Sequence, residues 1–352
     1  MKGRGAVVLY CGPFLFLASI PVLYYGLGTW TPFLSVASLL AVLVAAEWLS
    51  QRGEVPSMNA APERFRLLPM FYIPCQLAVI VWALIAASDP LLHGIAYAAL
   101  IVSVGVTTGV FGMLAAHELA HSTSGAHRIF AVAMLTGMTY RQFRIAHIYG
   151  HHRWAGTEQD SATARLGEGF YAFLIRTVGG QFLEAWRFEE RRRKVRELPP
   201  IANRAVQDLL VTGILFSAIF FSLGWQGAVF FAAESAVAIL VLELFNYIAH
   251  YGLVRESHGD GRRESLGERH SWNSSNIAAN MLIFNMGRHS DHHRAPSAPY
   301  QGLCYLSSAP ELPLGYAGSI LLALVPPVWR RVMDPEVLRL REEDTGRLRL
   351  AA

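Results

Sequence analysis

The chain has 352 residues, of which 53% are hydrophobic and 16% are charged. In ordinary soluble domains about 45–50% of the residues are hydrophobic and about 25% are charged. This chain therefore has much apolar surface that must be covered, and a lipid bilayer would cover it. A mean hydropathy of +0.32 excludes a disordered chain, a coiled coil and collagen. Three scattered cysteines, Cys11, Cys75 and Cys304, exclude a disulfide framework and a cysteine-built zinc or iron–sulfur site.

Six apolar segments are long enough to cross a bilayer, since a helix needs about 20 apolar residues to do so. They lie at residues 7–27, 32–49, 67–87, 91–116, 206–223 and 226–253. Lys2 and Arg4 precede the first segment, as in a signal peptide. Because no small-residue cleavage site follows and the apolar stretch is too long, we expect a retained helix.

The basic residues predict the orientation of these segments. All 30 lysines and arginines lie at 2–4, 52–66, 128–204 and 255–349, and none lies in the connections at 28–31, 88–90 or 224–225. Six spans with the N-terminus inside put every basic region on the cytoplasmic face. The net charge of +4 follows from this bias, and no motif suggests nucleic acid.

The predicted fold is therefore all-α: one multi-pass domain, 1–352, in a bacterial-type inner (plasma) membrane, with both termini cytoplasmic. Residues 1–116 hold four spans and 206–253 hold two. Residues 117–205 form a cytoplasmic insert and 254–352 a cytoplasmic tail. The weakly apolar stretches 129–140 and 315–329 are too short to span, and we expect them at the interface or packed over the site.

Nine of the 13 histidines fall in four tight groups, each at or beyond the cytoplasmic end of a predicted span. Residues four apart share a helix face, so their imidazoles can reach one metal ion. The other histidines, His93, His127, His258 and His270, lack such spacing. The nine grouped residues are His117, His121, His147, His151, His152, His250, His289, His292 and His293.

Nine imidazoles exceed the three or four that one ion takes, so the pattern predicts two metal ions. Imidazole suits zinc, copper, iron and nickel alike. A redox pair beneath an apolar helix bundle favours oxidation of a lipophilic molecule by oxygen. Two rival hypotheses are a zinc protease built on His117-Glu118-x-x-His121 and a non-catalytic metal- or lipid-binding membrane protein.

Three carboxylates next to the histidine groups, Glu118, Asp160 and Asp291, are candidates to accept the remaining imidazole N–H, although each could be a plain surface group. Glu234 and Glu243 fall inside a predicted span, where a carboxylate is a functional candidate by default. We expect a substrate cavity among the spans. Glu243 lies two helical turns from His250 and could face the same cavity as that histidine. Asn246 and Tyr247 are weaker candidates.

Four sequence boxes carry a resemblance to a known family. They are H-E-L-x-H at residue 117, H-x3-H-H at 147, N-Y-I-x-H-Y-G-L at 246 and R-H-S-D-H-H at 288. In this order they resemble the integral-membrane alkane 1-monooxygenases, within the membrane fatty acid desaturase and hydroxylase superfamily. Residues 159–171, 271–288 and 332–335 are also similar to that family.

The resemblance implies a six-helix membrane fold and two iron ions held by the nine histidines, with no flavin or haem in this chain. It also implies oxygen-dependent hydroxylation of a terminal methyl group of an alkane. Electrons would come from a rubredoxin and its NAD(P)H-dependent reductase. Both are separate proteins, since a fused rubredoxin needs four paired cysteines. An alkyl-aromatic or fatty-acyl hydroxylase or desaturase of the same superfamily is the alternative.

The chain departs from the family pattern beside its histidine boxes. Ala146 and Ala249 stand where many members carry Glu, and Ile148 replaces a frequent Asn. Ser122 follows the first box in place of a basic residue, and Asn276 stands where the family often has His. Residues in these positions orient imidazoles and tune the metal, so we expect a changed substrate range or potential.

Overall fold

The computed structural model describes residues 8–53, 65, 67–256 and 263–351. Within these ranges the regular structure is helical and there is no strand; two isolated bridges join Arg52 to Asn276 and Asn273 to Glu311. The all-α prediction is confirmed for this part of the chain. Residues 2–7, most of the basic stretch 52–66, and His258 lie outside the described residues.

The helices are numbered here in chain order. Six of them precede the second half of the chain: α1 Gly12–Leu27, α2 Phe33–Leu49, α3 Leu67–Ala87, α4 Gly94–Ala120, α5 Gly125–Gly137, and α6 at residues 143–154. The remainder are α7 Phe170–Val195, α8 Arg204–His250, α9 Ile277–Leu282, α10 His289–Arg294, α11 Gly315–Ala323 and α12 Pro326–Ala351. Helices α4 and α6 each contain a π-helical segment, at Thr108–Gly112 and Ala146–His151.

Three helices, α3, α4 and α8, are long and apolar enough to cross a membrane, and α1 and α2 are apolar but shorter. Helix α8 is two helices joined at Gly224, whose φ of 72° and ψ of −176° are not helical. A glycine tolerates this positive φ without steric cost. The break coincides with the predicted connection at 224–225.

Two predicted span ends differ from the structure. Helix α4 continues to Ala120, four residues past the predicted end at 116, so that His117 lies inside the helix. Helix α8 ends at His250 instead of 253, because Tyr251 has extended backbone. The first difference arises because His117 continues the helical turns that hydropathy alone assigns to a loop.

Close packing of α4 on α8 brings their histidine-bearing ends together. A Cβ atom at Gly109 would lie 2.7 Å from the carbonyl oxygen of Ala238, and one at Gly105 would lie 2.9 Å from that of Glu234. The missing side chains let the two backbones approach one another. Helix α7 covers the second half of α8.

The two short apolar stretches do not form long helices. Residues 129–140 fall in α5 and the turn after it, which pack against α3 and α4. Residues 315–329 are divided between α11, which ends at Ala323, and α12, which begins at Pro326. Helix α11 packs on α2 and α8 and closes one side of the cavity described below.

Candidate metal centre

Four short segments bring the nine grouped histidines together at one end of the bundle. The last turn of α4 supplies two, α6 supplies three, the end of α8 supplies one and α10 supplies three. The rings then divide into two groups whose nitrogen atoms lie within 4.8 Å of one another inside each group. The first group is His117, His121, His147, His152 and His292, and the second is His151, His250, His289 and His293.

In the first group the Nε2 atoms face a common point. His147 Nε2 lies 2.8 Å from that of His117, 3.1 Å from that of His121 and 3.0 Å from that of His152. His292 completes the ring at 3.2 Å from His152. Within this group His121 and His152 are partly exposed, whereas the other three are buried.

The second group is fully buried. The Nε2 atom of His250 lies 3.0 Å from that of His289 and 3.2 Å from that of His293. The His151 ring centroid lies 4.6 Å from that of His250. Its Nε2 atom is buried and has no hydrogen-bond partner.

A π-helical turn distributes the histidines of α6 between the groups. The segment Ala146–His151 is π-helical, so His147 and His152, five residues apart, point to the same group. His151, four residues after His147, turns to the other group. Spacing typical of an α-helix would have paired His147 with His151. In α10 the order is different: His289 and His293 share the second group, and His292 joins the first.

Burial disfavours the protonated form of several imidazoles in the first group and so leaves their nitrogens available as ligands. Burial and the charge of His151 lower the pKa of His121 to about 4. Burial and neighbouring histidines hold the pKa of His147, His152 and His292 well below the usual value. A neutral ring has one N–H, so five clustered Nε2 atoms cannot satisfy one another by hydrogen bonds.

Two metal ions fit this donor set. Each group offers at least four imidazole nitrogens within 4.8 Å of one another, and imidazole is a common ligand of several transition metals. The orphaned Nε2 of His151 has the same explanation. The ligand role of the nine residues stays a prediction, which this geometry supports.

Asp160 is the predicted carboxylate that reaches an imidazole. Its Oδ2 lies 2.8 Å from Nδ1 of His151, and both side chains are buried. Thr163 Oγ1 donates to the same oxygen at 2.6 Å, and the Ala162 N–H donates to Oδ1. Burial raises the pKa of Asp160, but the contacts with His151 and Thr163 outweigh it and hold the pKa below its usual value.

The other two predicted carboxylates are tied to backbone and arginine. Asp291 accepts from the Cys304 N–H at 2.7 Å and pairs with Arg294 at 2.6 Å. Glu118 accepts from the Tyr300 N–H at 3.2 Å. Both therefore fix the loop after α10 against the histidine-bearing helices. The ungrouped residues His93, His127 and His270 lie outside both metal groups.

An apolar cavity leads away from the two groups. It encloses about 790 Å³ of space between atoms, a figure that includes solvent at its open side. His117, His147 and His289 border it, and the partly exposed Leu43 and Ile320 border it where α2 and α11 meet. The sequence does not show which residues line this cavity, because its wall comes from helices far apart in the chain.

The two carboxylates predicted to lie inside a span have different surroundings. Glu243 is fully buried and accepts four hydrogen bonds, one of them from Asn246, which lines the cavity. Glu234 is also buried, and neither carboxylate is among the residues that line the cavity. The Tyr247 hydroxyl donates to the carbonyl of Glu168, which lies just before α7.

Comparison with known proteins gives a consistent family. The fatty acid desaturase family model matches residues 93–318. The chain is 36% identical over 290 residues to alkane 1-monooxygenase 2 of Pseudomonas aeruginosa, covering 82% of this chain and 77% of that protein. It is 32% identical over 330 residues to the alkane 1-monooxygenase of Pseudomonas putida, covering 93% of this chain and 82% of that protein. The identity to the xylene/toluene monooxygenase hydroxylase component of Pseudomonas putida is lower. It is 28% over 243 residues, covering 68% of this chain and 64% of that protein.

Proposed function

This chain belongs to the fatty acid desaturase family, and from that membership we propose that it is a membrane alkane 1-monooxygenase that hydroxylates terminal methyl groups. The observation that carries the proposal is the position of nine imidazoles, in two groups, beside an apolar cavity. A lipophilic chain entering that cavity would bring its end to the histidines.

We propose iron as the metal. His117, His121, His147, His152 and His292 would hold one ion, and His151, His250, His289 and His293 the other. When bound, the two ions would activate oxygen with two electrons and two protons, yielding one alcohol and one water per alkane. Iron is favoured over zinc because the family is oxidative and the cavity is apolar.

The residues of the chain provide positioning and shielding. The cavity wall, which includes Met113, Phe143 and Phe245, excludes water from the reacting end of the substrate. Asp160 holds the proton of His151 on Nδ1, which leaves Nε2 free to act as a ligand. The carbonyl oxygen of His270 lies 3.3 Å from Nδ1 of His250 and supports the same tautomer there.

We propose six membrane-crossing segments: α1, α2, α3, α4 and the two parts of α8 on either side of Gly224. With the N-terminus inside, the histidine centre lies on the cytoplasmic face, as the arginine-rich regions require. The chain would then be a single domain of a bacterial inner membrane.

The electrons must come from outside the chain. The sequence has three cysteines, which cannot form the four-cysteine iron site of a rubredoxin. We therefore propose a separate rubredoxin and its NAD(P)H-dependent reductase as partners.

A methyl-aromatic substrate is the second candidate. It is favoured by the similarity to the xylene/toluene monooxygenase hydroxylase component. The zinc protease hypothesis has less support, because His117 and His121 lie in one group with His147, His152 and His292.

The test is product analysis with the purified protein in lipid nanodiscs, supplied with rubredoxin, reductase and NADH. Octane, hexadecane, xylene and a fatty acid are offered in parallel. We expect 1-octanol from octane, with dependence on oxygen. His292→Ala should abolish turnover and lower bound iron, whereas His127→Ala, a histidine outside both groups, should retain activity. Hydrolysis without oxygen consumption would contradict the proposal.

A further inference from the structure

The apolar cavity carries one unusual polar group. Apart from the histidines, its polar lining side chains are Glu47, Tyr316 and Asn246. The Glu47 carboxylate accepts the backbone N–H of Tyr316 and of Ala317, and the Tyr316 hydroxyl donates to the Trp272 carbonyl. Their polar atoms are thus used within the protein.

A buried carboxylate fixes the orientation of Asn246. Tyr140 and Gln181 donate to Oε1 of Glu243 at 2.9 and 2.8 Å, and Thr177 and Asn246 donate to Oε2, each at 3.1 Å. The amide nitrogen of Asn246 is the atom that faces the carboxyl group. The amide oxygen then points elsewhere.

The Asn246 amide oxygen keeps contact with open space. The hydrogen bond to Glu243 is the contact that the structure gives the Asn246 side chain. Its Oδ1 atom is not one of the fully buried side-chain atoms that lack a hydrogen-bond partner. The residue is 6% exposed, and it borders the cavity. Its carbonyl oxygen is therefore an acceptor presented to whatever occupies that space.

The position of Asn246 is next to the reacting end. It lies four residues before His250 in α8, on the same helix face, and it borders the cavity together with His147 and His289. The neighbouring Phe245 ring stacks on Tyr316 and contacts His289 edge-on. Asn246 thus lies one helical turn from a grouped histidine and borders the same cavity as two others.

We propose that Asn246, held by Glu243, forms a binding site for the hydroxyl group of a primary alcohol at the histidine end of the cavity. This inference rests on the proposed function, in which such an alcohol is the product. The amide oxygen accepts the alcohol O–H. An alkane has no donor for it, so Asn246 discriminates between alcohol and alkane. A carboxylate ligand is disfavoured, because it lacks a proton to donate and would lie near Glu243.

The test compares binding of 1-octanol with binding of nonane, an apolar chain of the same number of heavy atoms. Tritiated ligands are bound to the iron-loaded protein in nanodiscs and counted by scintillation proximity, with empty nanodiscs subtracted. Asn246→Leu keeps the size of the side chain and removes the acceptor. We expect it to weaken 1-octanol binding about three- to tenfold, the value of one neutral hydrogen bond, and to change nonane binding less than twofold.

A second variant and a second readout guard against a folding defect. Asn246→Ala is measured in the same way, and whichever variant keeps wild-type iron content and helicity decides the test. The inhibition constant of 1-octanol against octane hydroxylation should rise by the same factor. Equal losses for alcohol and nonane, or no loss for either, would overturn the inference.

Failure of the inference and failure of the proposed function are separable. The binding assay needs no turnover. A wild-type protein that binds 1-octanol through Asn246 but leaves octane intact would contradict the proposed function alone. A protein that hydroxylates octane, but whose Asn246 variants bind 1-octanol normally, would refute the hydroxyl site alone.

Discussion

Replacing Asp160 with Asn removes one buried charge while keeping the size of the side chain. Asp160 accepts three hydrogen bonds, from His151 Nδ1, the Thr163 hydroxyl and the Ala162 N–H. An Asn side chain has one acceptor oxygen, so it cannot accept all three. Its NH2 group, facing His151, would favour the tautomer with the proton on Nε2, and that tautomer cannot act as a ligand through this nitrogen.

The expected size of the effect follows from this exchange. Hydrogen bonds to charged groups contribute about 1.5–3 kcal/mol. Loss of a carboxylate that orients a metal-bound imidazole lowers metal affinity or activity about 10–100-fold. Because His151 is in the second group of histidines, the loss should fall on one of the two ions.

The assay is a competition of the purified protein with a coloured iron chelator, followed by measurement of the hydroxylation rate. We expect Asp160→Asn to retain one tightly held ion and to release the other about 10–100-fold more readily, with a matching fall in rate. Glu158→Gln is the control, since Glu158 is an exposed carboxylate two residues away. Wild-type metal retention and rate in Asp160→Asn would refute the reasoning.

Three further predictions concern the cavity wall and the metal. Gly315→Ala should lower the free energy of unfolding, measured by thermal denaturation, by about 1–3 kcal/mol, because Gly315 has a φ of 63° and a Cβ atom there would clash with Glu47. The control Gly179→Ala, at an open helical site, should not lower it. Equal effects of the two substitutions would contradict this prediction. Ile320→Trp should narrow the cavity and reduce the hydroxylation rate of hexadecane about tenfold more than that of octane. The control Leu321→Trp, at an exposed position, should leave the ratio of the two rates unchanged. An unchanged ratio in both variants would count against entry of the substrate past Ile320. Removal of metal by a chelator should abolish activity, and ferrous iron, but not zinc, should restore it; recovery with zinc would exclude the oxidative mechanism.

The sequence predicts the convergence of the histidines because their spacing and the charge distribution are local signals. His117 and His121 pair as helical spacing predicts. The break at Gly224 follows from the loss of apolar residues there and the small side chain. These features depend on a few neighbouring residues, and the structure agrees with them.

The division of the histidines into two groups could not be predicted. Residues at i, i+4 and i+5 fit an α-helix or a π-helix equally well, and the choice depends on how α6 packs against α7. The hydrogen bonds to Glu243 are also invisible in the sequence, because Tyr140, Thr177 and Gln181 come from segments more than 60 residues away. The backbone contacts of Glu118 and Asp291 have the same origin, since folding of the loop near Tyr300 creates them.

The most direct test is a metal count on protein purified from membranes without added metal, combined with measurement of oxygen consumption coupled to octane. The two histidine groups predict two iron ions per chain and one oxygen consumed per 1-octanol formed. A single zinc ion per chain, with no oxygen consumed, would contradict the assignment of these nine imidazoles to an oxidative centre.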